Sequence, residues 1–324
     1  MNIDVVGAGS LGLLFGGKLQ AAGIDVRFWT RTLEQAEKLQ HSGIVITERS
    51  GDTYIKPEAV QAKPVSELAE IWREAPGDWM LLTVKQTHMH DFIDQMQSLK
   101  ELKDRQHVRI ACYQNGLGHL DMLQSALPDA ILCSAITTEG AKREVSRVYR
   151  AGAGETHLGL SVTSKNRGRD TEREQSIITL AEVMRQAGFD CTVSNEIDKL
   201  IFRKLLINAV INPLTAIWRI PNGELLQRTE RLNMMKQLYD EAMAVYKAMG
   251  IQMDEDLWEQ VMSVCRSTAS NTSSMLADIL HKHTTEVESI NGSIVKMAKQ
   301  FNLNVSAHET LLHLIQGMPS EGVS

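Results

Sequence analysis

Lys204, Asn208 and Asn212 recur at i, i+4 and i+8 in a stretch of Leu, Ile, Val and Ala that ends at Pro213. In a helix this spacing stacks all three along one face. A solvated face normally carries several charges. One amine and two amides set among large apolar side chains instead mark a face turned towards something polar, and buried amides need hydrogen-bond partners. A ligand bearing several polar groups would supply them. Another part of the protein would serve as well, and Asn212, directly before Pro213, could simply end the helix or cap the next one.

A second segment suits phosphate chemistry. Gly7-Ala8-Gly9-Ser10-Leu11-Gly12 follows the strand-like Ile3-Asp4-Val5-Val6 and opens a helical pattern that stops at Gly23. In a G-x-G-x-x-G loop the first glycine makes the tight turn, the second lets a pyrophosphate approach the backbone, and the third packs helix on strand. The helix N-terminus adds unpaired N–H groups and a positive dipole end. Residues Gly7, Ala8, Gly9, Ser10, Leu11 and Gly12 are therefore expected to hold a dinucleotide. About 20 residues beyond such a loop an NAD site places an acidic side chain on the ribose 2′-OH. Here the chain reads Phe28-Trp29-Thr30-Arg31 instead. Arg31 can pair bidentately with a 2′-phosphate, so NADP is expected over NAD; the alternative is a solvated arginine at a strand end. Thr32 with Gln35 reads as a capping box opening the next helix. Ligands of open α/β sheets lie beyond the carboxyl ends of the strands, which brings in Lys85 and Asn115. Lys85 offers a charge to the cofactor and Asn115 a hydrogen bond to a ribose or carboxamide, although Asn115-Gly116 is also a common turn dipeptide.

The elements that must position these residues follow from the apolar pattern. Candidate strands at 3–6, 26–30, 79–84, 108–113 and 130–133, with helix-like stretches between some of them, have the rhythm of a parallel sheet wound by helices on both faces. Residues 156–160 read as one more short strand. The polar stretch 164–174 reads as an exposed loop or helix start. From about Asn195 long helical patterns take over, at 199–211, 231–249, 257–265 and 284–301. The expected fold is α/β, with a Rossmann-type NADP-binding domain over 1–194 and a mostly α-helical substrate and catalytic domain over 195–324.

Composition narrows the function classes. The 324 residues allow two domains with a core each, and 43% hydrophobic with 23% charged residues is an ordinary globular balance. A net charge of −6 without a long basic patch argues against nucleic-acid binding, the pair Lys142-Arg143 being too short to count as one. Four scattered cysteines without a C-x-x-C pair suggest neither a zinc site nor a disulfide framework. They fit reduced cytoplasm, as does the lack of a basic-then-apolar leader, and no uninterrupted apolar run suggests a membrane span. His88-x-His90 and His281-x-His283 do not converge at i, i+2 on a helix, so no metal is expected. No G-x-S-x-G elbow or Walker loop points to hydrolysis or phosphoryl transfer.

Further segments carry a family likeness. Besides the glycine loop they are Gln114-Asn115-Gly116-Leu117-Gly118, the run from Lys204 to Ala216 containing Ile211-Asn212-Pro213-Leu214-Thr215-Ala216, and Pro221-Asn222-Gly223-Glu224-Leu225. Asn271-Thr272-Ser273-Ser274-Met275-Leu276, Thr285-Glu286 and Ile290-Asn291-Gly292 complete the set. With these the chain resembles the ketopantoate reductases (2-dehydropantoate 2-reductases) over nearly its whole length. The resemblance implies reduction of 2-dehydropantoate to pantoate with NADPH, a step towards pantothenate and coenzyme A. It implies Lys204 as proton donor and Asn208, Asn212, Asn222 and Ser274 as substrate-binding residues. It places Lys85, Asn115, Ala141 and Glu286 near the cofactor, with Asn115 and Glu286 also facing the reaction centre. Two departures stand out: 137–141 aligns only with a one-residue adjustment, and 161–174 is longer than usual.

Reducing a ketone puts negative charge on its oxygen, so a cationic or acidic donor is needed within about 3 Å of it. Lys204 is the expected donor. Burial would lower its pKa and a nearby carboxylate would restore the ammonium, a role expected of Glu286. Asn208 and Asn212 would orient carbonyl and hydroxyl groups, and Ser274 would bind the substrate carboxylate. The expected partners are thus a small 2-oxo acid and NADP, with no nucleic acid and no membrane; a homodimer is compatible with the pattern but not dictated by it. The alternatives are an NADPH-dependent reductase of another small 2-oxo acid and a non-catalytic NADPH-binding module.

Overall fold

The computed structural model describes residues 1–97, 108–161 and 171–319. The chain divides into two compact units, Met1–Gln114 with His119–Asp198 and Asn115–Gly118 with Lys199–Ser324. In the first unit the strands are β1 (Asn2–Val6), β2 (Asp25–Thr30), β3 (Ile44–Glu48), β4 (Gly51–Ile55), β5 (Gln61–Pro64), β6 (Trp79–Leu82), β7 (Arg109–Cys112), β8 (Ile131–Thr137), β9 (Gly140–Glu144), β10 (Arg147–Gly152), β11 (Glu155–Gly159) and β12 (Asp190–Val193). An eight-stranded sheet runs β12-β11-β8-β7-β6-β1-β2-β5. Its pairs from β8 through to β5 are parallel, while β11 lies antiparallel to β8.

Alternation along these strands feeds two cores. Val5, Phe28, Leu81 and Ala111 face one way, and Val6, Trp29, Leu82 and Cys112 the other, as a sheet covered on both faces requires. The helices of this unit are α1 (Ser10–Ala21), α2 (Leu33–Ser42), α3 (Leu68–Glu74), α4 (Met89–Gln97), α5 (His119–Ala126) and α6 (Thr171–Gln186). Leu13, Leu14, Phe15 and Leu19 of α1 share the first core with Ile44, Ile46 and Val148 of a second, four-stranded sheet ordered β4-β3-β10-β9. That second sheet was not read from the sequence. Its strands are short, mix polar with apolar residues, and pair β3 with β10 from a separate part of the chain.

A buried carboxylate ties the glycine-loop strand to its neighbours. Asp4, fully buried in β1, accepts from Arg27 Nε and Nη2, both at 2.8 Å, from Trp29 Nε1 at 2.7 Å and from Trp72 Nε1 at 3.1 Å. Four N–H donors leave no lone pair starved, which is what allows a charge inside the sheet layer.

The second unit is helical: α7 (Ile197–Trp218, from Lys199 onward), α8 (Thr229–Ala248), α9 (Leu257–Ser267), α10 (Ser274–Leu280), α11 (Val287–Gln300) and α12 (Ser306–Gln316). Leu206, Ala209, Val210, Leu238, Ala242, Tyr246, Val261, Ile294 and Ala298 build its core. The α/β class with a helical C-terminal region is therefore the one expected. The helix through Lys204 does not stop at Pro213 but continues to Trp218. By length and composition alone α7 could cross a membrane, yet most of its apolar window is buried within the fold, the pattern of a core helix. Of the polar stretch 164–174, residues 164–170 lie outside the described residues and the remainder opens α6.

Candidate active site

In the first unit the loop after β1 has the backbone a dinucleotide turn needs. Gly7 has φ +103°, and a Cβ there would lie 2.8 Å from the Val84 nitrogen; a Cβ at Gly12 would lie 1.9 Å from the Gly7 carbonyl oxygen. Side chains are excluded at both positions by backbone, so the turn is locked against the end of β6, where Thr83 Oγ1 donates to the Gly7 carbonyl at 2.7 Å. Gly9 differs. It is the N-cap of α1, and a Cβ placed there meets nothing within 4 Å. The first-turn N–H groups of a twelve-residue helix thus open outward beside a glycine, the arrangement that receives an anion. Ala8 is buried, Ser10 and Leu11 are half-buried, and the Ala8 carbonyl accepts from Gln35 Nε2 at 2.8 Å and Arg143 Nη1 at 2.7 Å. Thr32 does cap α2, its side chain accepting from the Gln35 N–H at 3.2 Å. The Gln35 side chain, however, serves the glycine loop.

Positive charge gathers in the same unit. Arg31 stands exposed just beyond β2. Burial, reinforced by Arg31, lowers the pKa of Arg143. Burial followed by Arg31, and more weakly by Lys85, lowers that of His88, with Asp91 opposing. Arg31 thus acts on both Arg143 and His88, and Lys85 on His88; the three cations suit an anion, whereas His88, held below the ordinary imidazole value, adds no charge at neutral pH. Sequence reading did not single out Arg143 or His88 beside the glycine loop. The only trace was the Lys142-Arg143 pair, since strand pairing and not sequence spacing carries Arg143 to the Ala8 carbonyl. Ala141 is half-buried in β9, paired with Arg150 of β10.

The second unit holds the other set. Lys204 is half-buried on α7. Burial pulls its pKa from 10.5 down to about 8, and the Glu286 carboxylate works against that fall. Glu286 is the N-cap residue of α11 and accepts from Asn115 Nδ2 at 3.3 Å. The segment 115–118 lies along α11: Leu117 N–H donates to the Ser289 carbonyl at 3.1 Å. Gly116 has φ +80°, and a Cβ there would come 2.1 Å from the Ser289 oxygen. Asn115-Gly116 is therefore a turn that also brings Asn115 to Glu286, because only glycine lets the chain approach α11 closely enough.

Further along α7, Asn208 is half-buried and Asn212 buried. Asn212 Nδ2 lies 3.5 Å from Ser274 Oγ. Ser273 caps α10, accepting from the Leu276 N–H at 3.1 Å, and pairs with Thr215 Oγ1 at 2.7 Å, so its neighbour Ser274 is left exposed. Asn222 is buried, its N–H donating to the Asn271 carbonyl at 3.0 Å and its Nδ2 to Thr268 Oγ1 at 2.9 Å. Its Oδ1 is buried with no hydrogen-bond partner, an acceptor that a ligand hydroxyl would satisfy. Among the described residues no group of three or more His, Cys, Asp or Glu could hold a metal ion.

Comparison with known proteins bears on both units. The family model described as ketopantoate reductase PanE/ApbA matches residues 3–162, and its C-terminal counterpart matches residues 196–319. A 2-dehydropantoate 2-reductase of Archaeoglobus fulgidus is 32% identical over 323 residues, covering 98% of either chain. The crystal structure of a probable 2-dehydropantoate 2-reductase from Bacillus subtilis superposes with a TM-score of 0.75 at 26% identity, covering 98% of this chain and 100% of that one. A D-mandelate dehydrogenase solved with NADH and anilino(oxo)acetate shares the fold, with a TM-score of 0.83 at 22% identity and 98% of either chain covered.

Proposed function

Because the chain belongs to the ketopantoate reductase family of oxidoreductases, we propose that it reduces 2-dehydropantoate to pantoate with NADPH, as a cytoplasmic step of pantothenate and coenzyme A synthesis. The observation that carries this reading is the half-buried Lys204 ammonium, brought to about 8 and supported by Glu286. The glycine loop fits a dinucleotide pyrophosphate, since Gly9 opens outward at the start of α1 while Gly7 and Gly12 exclude side chains. Arg31, with Lys85 and Arg143 adding positive charge in the same unit, suits a 2′-phosphate better than a free hydroxyl. When bound, NADPH supplies a hydride to the ketone carbon.

The chain's own residues do the rest. As negative charge builds on the ketone oxygen, Lys204 Nζ donates a proton to it. A donor with a pKa near working pH is effective because it is still protonated yet yields its proton readily. Glu286 keeps Lys204 charged despite burial, and Asn115 orients Glu286. Asn208 and Asn212 orient carbonyl and hydroxyl oxygens without adding charge, Asn222 Oδ1 accepts from a substrate hydroxyl, and Ser274 Oγ donates to the substrate carboxylate. Residues 1–194 act as the NADP-binding domain, with Ala141 contributing backbone contact, and 195–324 as the substrate domain. The test is NADPH oxidation over ketopantoate, 2-oxoisovalerate and pyruvate. Ketopantoate should give the highest kcat/KM. A stronger preference for another 2-oxo acid would reassign the substrate, and oxidation of none would leave an NADPH-binding module.

A further inference from the structure

Proline has no N–H, so Pro213 inside α7 deprives the Ala209 carbonyl, four residues earlier, of its helical donor. Ala209 is fully buried, beyond the reach of water. An unpaired carbonyl there would be costly. Asn291 on α11, itself fully buried, donates from Nδ2 to this carbonyl at 3.0 Å. The other N–H of the same amide meets His308 Nδ1 at 3.0 Å, and His308 Nε2 lies 2.9 Å from the Leu238 carbonyl. The chemistry of the partners sets the direction of each bond. Leu238 offers only an acceptor, so the imidazole proton sits on Nε2 and Nδ1 accepts; burial lowers the His308 pKa and so favours this neutral ring, against weaker support for the cation from the Leu238 bond and Glu241. Both neighbours of Asn291 are then acceptors. The amide presents them its nitrogen and leaves its own Oδ1 buried without a partner. The donors are evidently what this position requires.

The link joins positions that matter to the candidate site. Ala209 lies five residues after Lys204 on α7, and Asn291 five residues after Glu286 at the start of α11. Pinning Ala209 to Asn291 therefore sets how far one helix can slide along the other, and with it the separation of amine and carboxylate about one and a half turns away. We propose that Asn291 is a positioning residue that captures the carbonyl orphaned by Pro213 and so holds Glu286 in register with Lys204. The hydrogen-bond part stands on geometry alone, whereas its catalytic importance rests on the function proposed above.

Two measurements on the full chain test this, and neither needs turnover. In urea unfolding, Asn291→Leu is compared in the natural chain and in the Pro213→Ala background, where Ala209 regains a helical N–H. The loss in the unfolding equilibrium constant should be at least about fivefold smaller in the Pro213→Ala background; equal losses would overturn the carbonyl capture. In the second, Lys204 is titrated by NMR of ¹³C-labelled lysine, assigned by the signal lost in Lys204→Ala. Asn291→Leu should lower the Lys204 midpoint by about half a pH unit or more, as Glu286 loses its register, while Pro213→Ala alone leaves it in place. An unmoved midpoint in Asn291→Leu would overturn the positioning role. Should that variant fail to fold, Asn291→Ala carries the same comparisons. Failure to turn over ketopantoate would sink the proposed function and leave both of these results intact.

Discussion

Replacing Glu286 with glutamine keeps the shape of the side chain and removes its charge, which makes it the sharpest probe of the proposed acid. Burial alone drives the Lys204 pKa down from 10.5, and Glu286 is the group that opposes the fall to about 8. At a pKa of about 8 roughly nine-tenths of the amine is protonated at pH 7 and half at pH 8. If losing the carboxylate lowers the pKa by about one further unit, those fractions become about one half and one tenth. Glu286→Gln should therefore lose about twofold in kcat/KM at pH 7 but about fivefold at pH 8, with the alkaline limb moved towards acid. The assay is NADPH oxidation at saturating cofactor with limiting ketopantoate from pH 6 to 9. A uniform loss with the limb unmoved would refute the electrostatic link between the two residues, since a merely steric defect has no such pH signature.

Other outcomes follow from the same geometry. Lys204→Met should abolish turnover by orders of magnitude while stabilising the fold at neutral pH by about 1 kcal/mol, a figure reduced for the solvent contact the amine retains. The sign follows from linkage: the folded pKa lies below the unfolded one, so the charged amine opposes folding below about 8 and stability rises with pH from there to 10.5; thermal melts at pH 7 and 10 check it, and a destabilised Lys204→Met at pH 7 would contradict it. Arg31→Asp should raise KM for NADPH at least about tenfold with little change for NADH, and an unchanged NADPH/NADH ratio would mean that the 2′-phosphate is read elsewhere.

Local patterns made much of this molecule legible from its sequence. The glycine loop was readable because its glycines, the strand before them and the helix after them are contiguous, and the backbone exclusions at Gly7 and Gly12 match the roles assigned to those positions. The Lys204-Asn208-Asn212 stripe was readable because helical spacing is itself local. Pro213 misled as a helix end. Its effect depends on whether some distant group can replace the missing N–H, and Asn291 does so from 82 positions away.

What the order of residues determined unaided was chemical type: a glycine-rich turn between strand and helix, an arginine in place of an acid after the second strand, an amine and two amides on one apolar helix, and an α/β half followed by a helical one. The folded chain alone decided which groups meet. It put Asn115 on Glu286, an acid on the electrostatics of Lys204, and Arg143 on the glycine loop. Those pairings span up to 171 positions. Spacing rules see only as far as a turn of helix or a step of strand, whereas hydrogen bonds and charge act through space, so packing had to settle them.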